Sequence, residues 1–146
     1  MERRVEVFFY GLFMDADALS EKGFHPANAR QASVQDLALH LGERATLVPE
    51  RGGCVHGMLM NLTHAEVDRL YAEPSVEAYR AEPVIASLSD GSIVAALCFN
   101  LPAVPAGVRS NPEYAAKLRI AAKRMGLPEN YVASIPSTSK RDSSVP

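Results

Sequence analysis

Tyr79-Arg80-Ala81-Glu82-Pro83-Val84-Ile85-Ala86-Ser87-Leu88 and Ser92-Ile93-Val94-Ala95-Ala96-Leu97-Cys98-Phe99-Asn100-Leu101 are two apolar-rich runs separated by Ser89-Asp90-Gly91. An Asp-Gly pair between such runs is a strong hairpin signal, because the favoured tight turns need positive φ at positions that Asp and Gly tolerate. The stretch reads as two antiparallel strands, Tyr79 to Leu88 and Ser92 to Leu101. Working back along the chain, Cys54 to Leu62 alternates in the same way. Cys54, His56, Met58 and Met60 fall on one face, with Val55, Gly57, Leu59 and Asn61 on the other. Val5 to Tyr10 forms a first strand, Val34 to Leu41 a strand with an irregularity, and Thr46 to Val48 a short one. Pro49-Glu50-Arg51-Gly52-Gly53 reads as a turn by composition. About six strands result.

The helices carry clear end signals. Asp15 or Asp17 caps a short helix that runs to about Lys22, and a loop from Phe24 to Arg30 follows. Thr63-His64-Ala65-Glu66 is a capping box, opening a helix whose buried stripe is Val67, Leu70 and Tyr71. Pro74 ends it, since the residue before a proline is pushed out of the helical region. Asn111-Pro112-Glu113 opens the longest helix, with Tyr114, Leu118, Ala121 and Met125 facing inward and Gly126 at its end. Pro128 to Ile135 adds one or two further turns. Helices fall between groups of strands rather than after each one, which predicts an α+β fold. The alternation suits a small mixed, mostly antiparallel β-barrel with short peripheral helices. Residues 1–136 read as one domain, and residues 137–146 as a polar, serine-rich, disordered tail.

Composition excludes several function classes. The 146 residues carry 15 basic and 17 acidic side chains, a net charge of −2, which gives no basic surface for nucleic acid. No run reaches the roughly 18–20 apolar residues of a membrane helix. Two cysteines are too few for a disulfide framework, so a cytoplasmic setting is expected. Cys54 and His56 share a strand face, yet a zinc site needs three or four ligands and no Cys-x-x-Cys accompanies them, so no metal is expected. Cys98 reads as a buried small hydrophobe, and Met58 and Met60 as core fillers. Nucleotide-binding glycine loops and a Gly-x-Ser-x-Gly elbow do not occur.

Two segments carry chemistry. In Tyr10-Gly11-Leu12-Phe13-Met14 a strand ends in a turn, where Gly11 lets the backbone approach a ligand and the following amides can face a carboxylate. Its bland reading is a tight turn into a helix. In Leu70 to Tyr79, Glu73 stands just past a helix. The negative end of the helix dipole favours the protonated form of such a carboxylate, which suits a group that takes and returns a proton. Its bland reading is a solvated surface acid.

These segments resemble the γ-glutamylcyclotransferase-like superfamily. The likeness runs through Phe9-Tyr10-Gly11-Leu12-Phe13-Met14, then Val55-His56-Gly57-Met58-Leu59-Met60-Asn61-Leu62-Thr63. It continues with the helix end at Glu73, Tyr79 and Glu82-Pro83-Val84-Ile85-Ala86, and ends with Pro112-Glu113-Tyr114 and Gly126-Leu127-Pro128-Glu129-Asn130-Tyr131. The resemblance implies a cofactor-independent enzyme that cyclises a small-molecule γ-glutamyl peptide or amine to 5-oxoproline. Glu73 would be its catalytic acid–base, with Tyr10, Gly11, Leu12, Phe13 and Tyr79 binding substrate. Two departures stand out. Leu12 occupies a position where the family usually has a small hydroxyl residue, and Glu73-Pro74 replaces its Glu-Gly. They leave open a different substrate, Glu77 as the acid, or a silent member that binds a small acid or a protein. Nothing in the sequence sets an oligomeric state.

Overall fold

The computed structural model describes residues 3–103 and 111–135; the predicted tail and most of the loop before Asn111 lie outside them. Among the described residues there are five strands: β1 (Arg4–Phe9), β2 (Ala27–Leu41), β3 (Ala45–Thr63), β4 (Arg80–Leu88) and β5 (Ile93–Asn100). They close into a barrel in the order β1-β3-β2-β4-β5. Every pairing is antiparallel except the parallel seam of β1 with β5, where Val7 faces Leu97. The barrel is therefore mixed and mostly antiparallel, as the alternation predicts. A 3-10 turn (Leu12–Met14) and four short helices surround it: α1 (Ala16–Glu21), α2 (His64–Leu70), α3 (Pro112–Arg124) and α4 (Glu129–Ser134).

The expected sixth strand is the first part of β3. Pro49 to Gly53 does not reverse the chain. It bulges out of a continuous strand, so that the register slips from Leu37 opposite Pro49 to Gln35 opposite Cys54. Gly52 adopts φ 80° there and its amide donates to Asp36 Oδ1 at 3.0 Å. Turn-forming residues signal a departure from regular strand, and a bulge satisfies them as well as a reversal does. The loop predicted from Phe24 to Arg30 is shorter than expected, since β2 already begins at Ala27 with a slip between Ala27 and Arg30. Pro83 is tolerated in β4 because β2 pairs with β4 only through Ala86–Leu88, leaving Pro83 bonded on one side alone.

Both faces of β1 and of the second half of β3 are apolar because both are covered. Phe8, Tyr10, Val34, Val55, Leu59, Ala86, Ala96 and Cys98 fill the barrel interior. Val7, Phe9, Met58, Met60 and Leu62 point outward and pack under Leu19, Val67, Leu70 and Leu118 of the helices. Met58 and Met60 are core residues, but of this outer layer. Asp15, not Asp17, caps α1, its Oδ1 accepting from the Asp17 amide at 2.9 Å. The capping box of α2 is complete, with Thr63 Oγ1 accepting from the Glu66 amide and Glu66 Oε1 from the Thr63 amide. No helix among the described residues is long and apolar enough to cross a membrane.

Candidate functional site

β1 ends at one mouth of the barrel, and the turn after it opens on a cavity of about 360 Å³. Four further elements complete the wall. The β2–β3 turn brings Glu43, Arg44 and Ala45, the stretch after α2 brings Tyr71, Ser75, Val76 and Tyr79, β5 brings Phe99 and α3 brings Tyr114. Eight of the chain's ten Phe and Tyr residues line this one space. Tyr71 stacks on Phe99 with centroids 3.8 Å apart, and Phe13 meets Tyr71 edge-on at 6.4 Å. Such pairs hold rings in fixed orientations as well as burying area.

The tyrosine hydroxyls are tied to the backbone of the rim. Tyr10 donates to the Phe99 carbonyl at 2.7 Å, and Tyr79 donates to the Ala45 carbonyl. Tyr114 enters from the first turn of α3, fixed by the Asn111 cap. Its hydroxyl sits 2.7 Å from where a Cβ on Gly11 would be. Gly11 has φ −108°, an ordinary extended value. A glycine is needed here for close approach, and the group that approaches is the Tyr114 hydroxyl. Burial pushes the Tyr79 phenol up to about 12, with Tyr114 adding to the rise and Arg44 opposing it. Burial likewise raises Tyr10, Tyr71 and Tyr114. All four phenols are therefore neutral near pH 7 and act as hydrogen-bonding groups, not as bases.

Five of the six residues singled out in the sequence meet in this wall: Tyr10, Gly11, Leu12, Phe13 and Tyr79. Glu73 does not. Its carboxylate lies outside the cavity lining, 33% exposed, with Oε1 3.4 Å from Lys22 Nζ. Glu77 is also absent from the wall and exposed, its backbone carbonyl accepting from Arg80. Between them the loop turns Ser75 and Val76 inward. The acidic group that does line the cavity is Glu43, beside Arg44, and both are exposed at the rim. No sequence signal marks Arg44 or Phe99 for the site, and Tyr114 reads only as an inward-facing residue of the longest helix. Only the barrel closure and the α3 start bring them together, and no local spacing announces that. Tyr71, expected in the buried stripe of α2, stands instead at its C-cap and lines the cavity.

Cys54 and His56 sit elsewhere, on the outer surface of β3, and among the described residues no group of three His, Cys, Asp or Glu is placed to hold a metal. Cys98 is fully buried in the barrel interior.

The model of the family described as gamma-glutamyl cyclotransferase, AIG2-like, matches residues 7–117. No curated protein matches the chain. Among solved structures, a gamma-glutamyl cyclotransferase superposes with a TM-score of 0.78 at 18% identity, covering 98% of each chain. An uncharacterized protein from Homo sapiens, loc79017, superposes at 0.77 with 18% identity, covering 99% of this chain and 98% of that one. An AIG2-like protein from Mus musculus gives 0.57 at 16% identity over 75% of this chain and 97% of that one. At such identities the superpositions establish a shared fold.

Proposed function

Because the chain belongs to the gamma-glutamyl cyclotransferase, AIG2-like family, we propose that its barrel-mouth cavity binds a small carboxylate-bearing molecule, and that Glu73 is not a proton relay for it. The wall itself supports this reading. It combines rigid aromatic faces with Arg44 at the rim, while the stretch after α2 contributes Ser75 and Val76 in place of an acid. An apolar cavity with few polar groups is the usual form of a small-molecule site. Arg44 supplies a cation for the carboxylate, the tyrosine hydroxyls hydrogen-bond polar atoms, and the rings take the apolar body of the ligand. A γ-glutamyl compound falls within this class.

A second reading keeps the family's reaction, and Glu43 is the observation that favours it, being a carboxylate on the cavity rim. In that reaction the substrate's α-amine loses a proton and attacks its own γ-carbonyl. The γ-amide bond breaks, the departing amine takes up a proton, and 5-oxoproline is left. The protein's task is to hold the folded-back conformer and move one proton.

One experiment separates the two readings. Titrate the protein by calorimetry with glutamate, 5-oxoproline and a panel of γ-glutamyl peptides and amines, then assay the same mixtures for 5-oxoproline by mass spectrometry. Binding without turnover, weakened about tenfold or more by Arg44→Gln, is the expected result. Turnover that Glu43→Gln abolishes and Glu73→Gln leaves intact establishes the second reading. Turnover abolished by Glu73→Gln overturns the proposal.

A further inference from the structure

A second group of chemically active side chains lies on the outer face of the barrel. Cys54 and His56 are two residues apart on β3, so the pleat puts them on one face. Cys54 is exposed, and its Sγ lies 3.7 Å from His56 Nε2. From the neighbouring strand, Gln35, directly opposite Cys54 in the register, directs its Nε2 at the same sulfur from 3.6 Å. α4 crosses above them. Its Tyr131 packs edge-on against the His56 ring with centroids 4.9 Å apart.

Beside the thiol is a cavity of about 200 Å³, lined by Leu37, Leu39, Glu50, Cys54, Tyr131 and Ser134 among others. Among the described residues, the buried Tyr131 hydroxyl finds no acceptor for its proton. Burial pushes that phenol up to about 12, the His56 amide opposing the rise, so the group keeps its proton and remains an unused donor. A buried donor with no acceptor is costly, and one next to a thiol and an open space is placed to be satisfied by an incoming group.

We propose that Cys54 is a thiol-modification site, in which His56 takes the thiol proton and the cavity under α4 receives the partner of a low-molecular-weight disulfide. The thiolate is the reacting species in such chemistry. The proton passes from Cys54 Sγ to His56 Nε2, while the Gln35 amide hydrogen faces the developing negative sulfur. The sulfur attacks one sulfur of the disulfide, a new S–S bond forms, and the old one breaks. The leaving thiolate takes the proton back from His56. One thiol and one disulfide enter; one mixed disulfide and one thiol leave. Burial holds His56 below its ordinary value, so its ring stands neutral at pH 7 with Nε2 facing the thiol. Cys98, fully buried in the barrel, has no access to the same reagent.

The test uses 2-hydroxyethyl disulfide, a small neutral probe, with intact-mass spectrometry following its addition to the folded protein. Wild type should gain one adduct and Cys54→Ser none. His56→Gln should slow the reaction about tenfold, and Tyr131→Phe should slow it less. Reference rates come from a peptide of residues 50–58, which keeps Cys54 and His56 in sequence but not the strand, the Gln35 amide or the cavity. Folded protein reacting no faster than that peptide overturns the proposal, whether or not the variants fold. So does a folded His56→Gln variant that reacts at the wild-type rate, or a first adduct on Cys98.

Discussion

The cavity wall supplied by β1 and the wall supplied by the stretch after α2 rest on different supports. β1 is paired with β3 along its whole length and with β5 at the seam, so the pleat dictates where each side chain goes. Phe8 and Tyr10 point into the barrel, Val7 and Phe9 out of it. Residues 71–79 have no such ladder. They are held by short turns, Val76 to the Glu73 carbonyl and Tyr79 to the Val76 carbonyl, and by the Tyr79 hydroxyl on Ala45. In the first region a sequence position fixes a direction. In the second, a shift of two residues in the turns would exchange Ser75 for a carboxylate, Glu73 or Glu77, at the cavity face.

The largest effect should come from breaking the pinned wall. Gly57 of β3 lies beneath β1, and a Cβ placed there would meet the Phe9 carbonyl oxygen at 2.3 Å and the Phe8 ring at 3.0 Å. The first contact is backbone and cannot be relieved by a rotamer change. Gly57→Ala should therefore push β1 away from β3 and cost about 3 kcal/mol, measured as a fall in the urea midpoint. Ligand affinity should fall with it, because Tyr10 and Gly11 follow β1. A variant with an unchanged midpoint would mean that this wall is not pinned by its pairing.

The same contrast accounts for what could be read in advance. Alternation in Cys54–Leu62, the Asp90-Gly91 hairpin and the capping box at Thr63 each report a local geometry that the tertiary structure keeps. Those signals were enough for the barrel and its outer helices. The bulge at Pro49–Gly53 has the composition of a turn because its residues suit both equally, and only the partner β2 decides between them. Glu73 is implied as the acid–base by the resemblance, and its place just past a helix suits that role. Its actual partner, Lys22, comes from 51 residues away at the end of α1, and no spacing rule connects the two. The rest of the aromatic lining has no local signal for the same reason: Phe8, Phe9, Tyr71, Phe99 and Tyr114 are scattered along the chain.

A smaller effect should come from Glu66, which belongs to the well-determined end of α2. Burial alone would raise its carboxyl, but the Thr63 and His25 amides and the Thr63 hydroxyl hold it below the ordinary value of 4.5. The His25 amide donates to Oε2 at 2.7 Å, tying the chain after α1 to α2. A depressed carboxylate contributes stability that is fully present above the unfolded value and is lost as pH falls through the folded one. Glu66→Gln should therefore cost about 1–2 kcal/mol at pH 7. The gap to wild type should close as pH drops below 4.5. Urea midpoints collected from neutral to acid pH read this directly. A gap that stays constant into acid would show that shape, rather than charge, is what Glu66 provides.

The smallest effect is expected at Glu73, and it bears most directly on the comparison of the two walls. Both members of the Lys22–Glu73 pair are substantially exposed, at 43% and 33%, and their closest atoms are 3.4 Å apart. Exposed pairs of this kind contribute about 0–1 kcal/mol, since water solvates each partner nearly as well as the other does. Glu73→Gln keeps the size of the side chain and removes only the charge, so stability should change by no more than about 0.5 kcal/mol. Ligand affinity should not change at all, because the cavity face of this stretch is Tyr71, Ser75, Val76 and Tyr79. Salt should shrink even the small stability difference, the pair being screened at its exposed position. A tenfold or greater loss of affinity or turnover in Glu73→Gln would mean that the turns after α2 rearrange when ligand binds and swing the carboxylate inward. The loosely held wall would then be the moving part of the site, and β1 the fixed surface against which it closes.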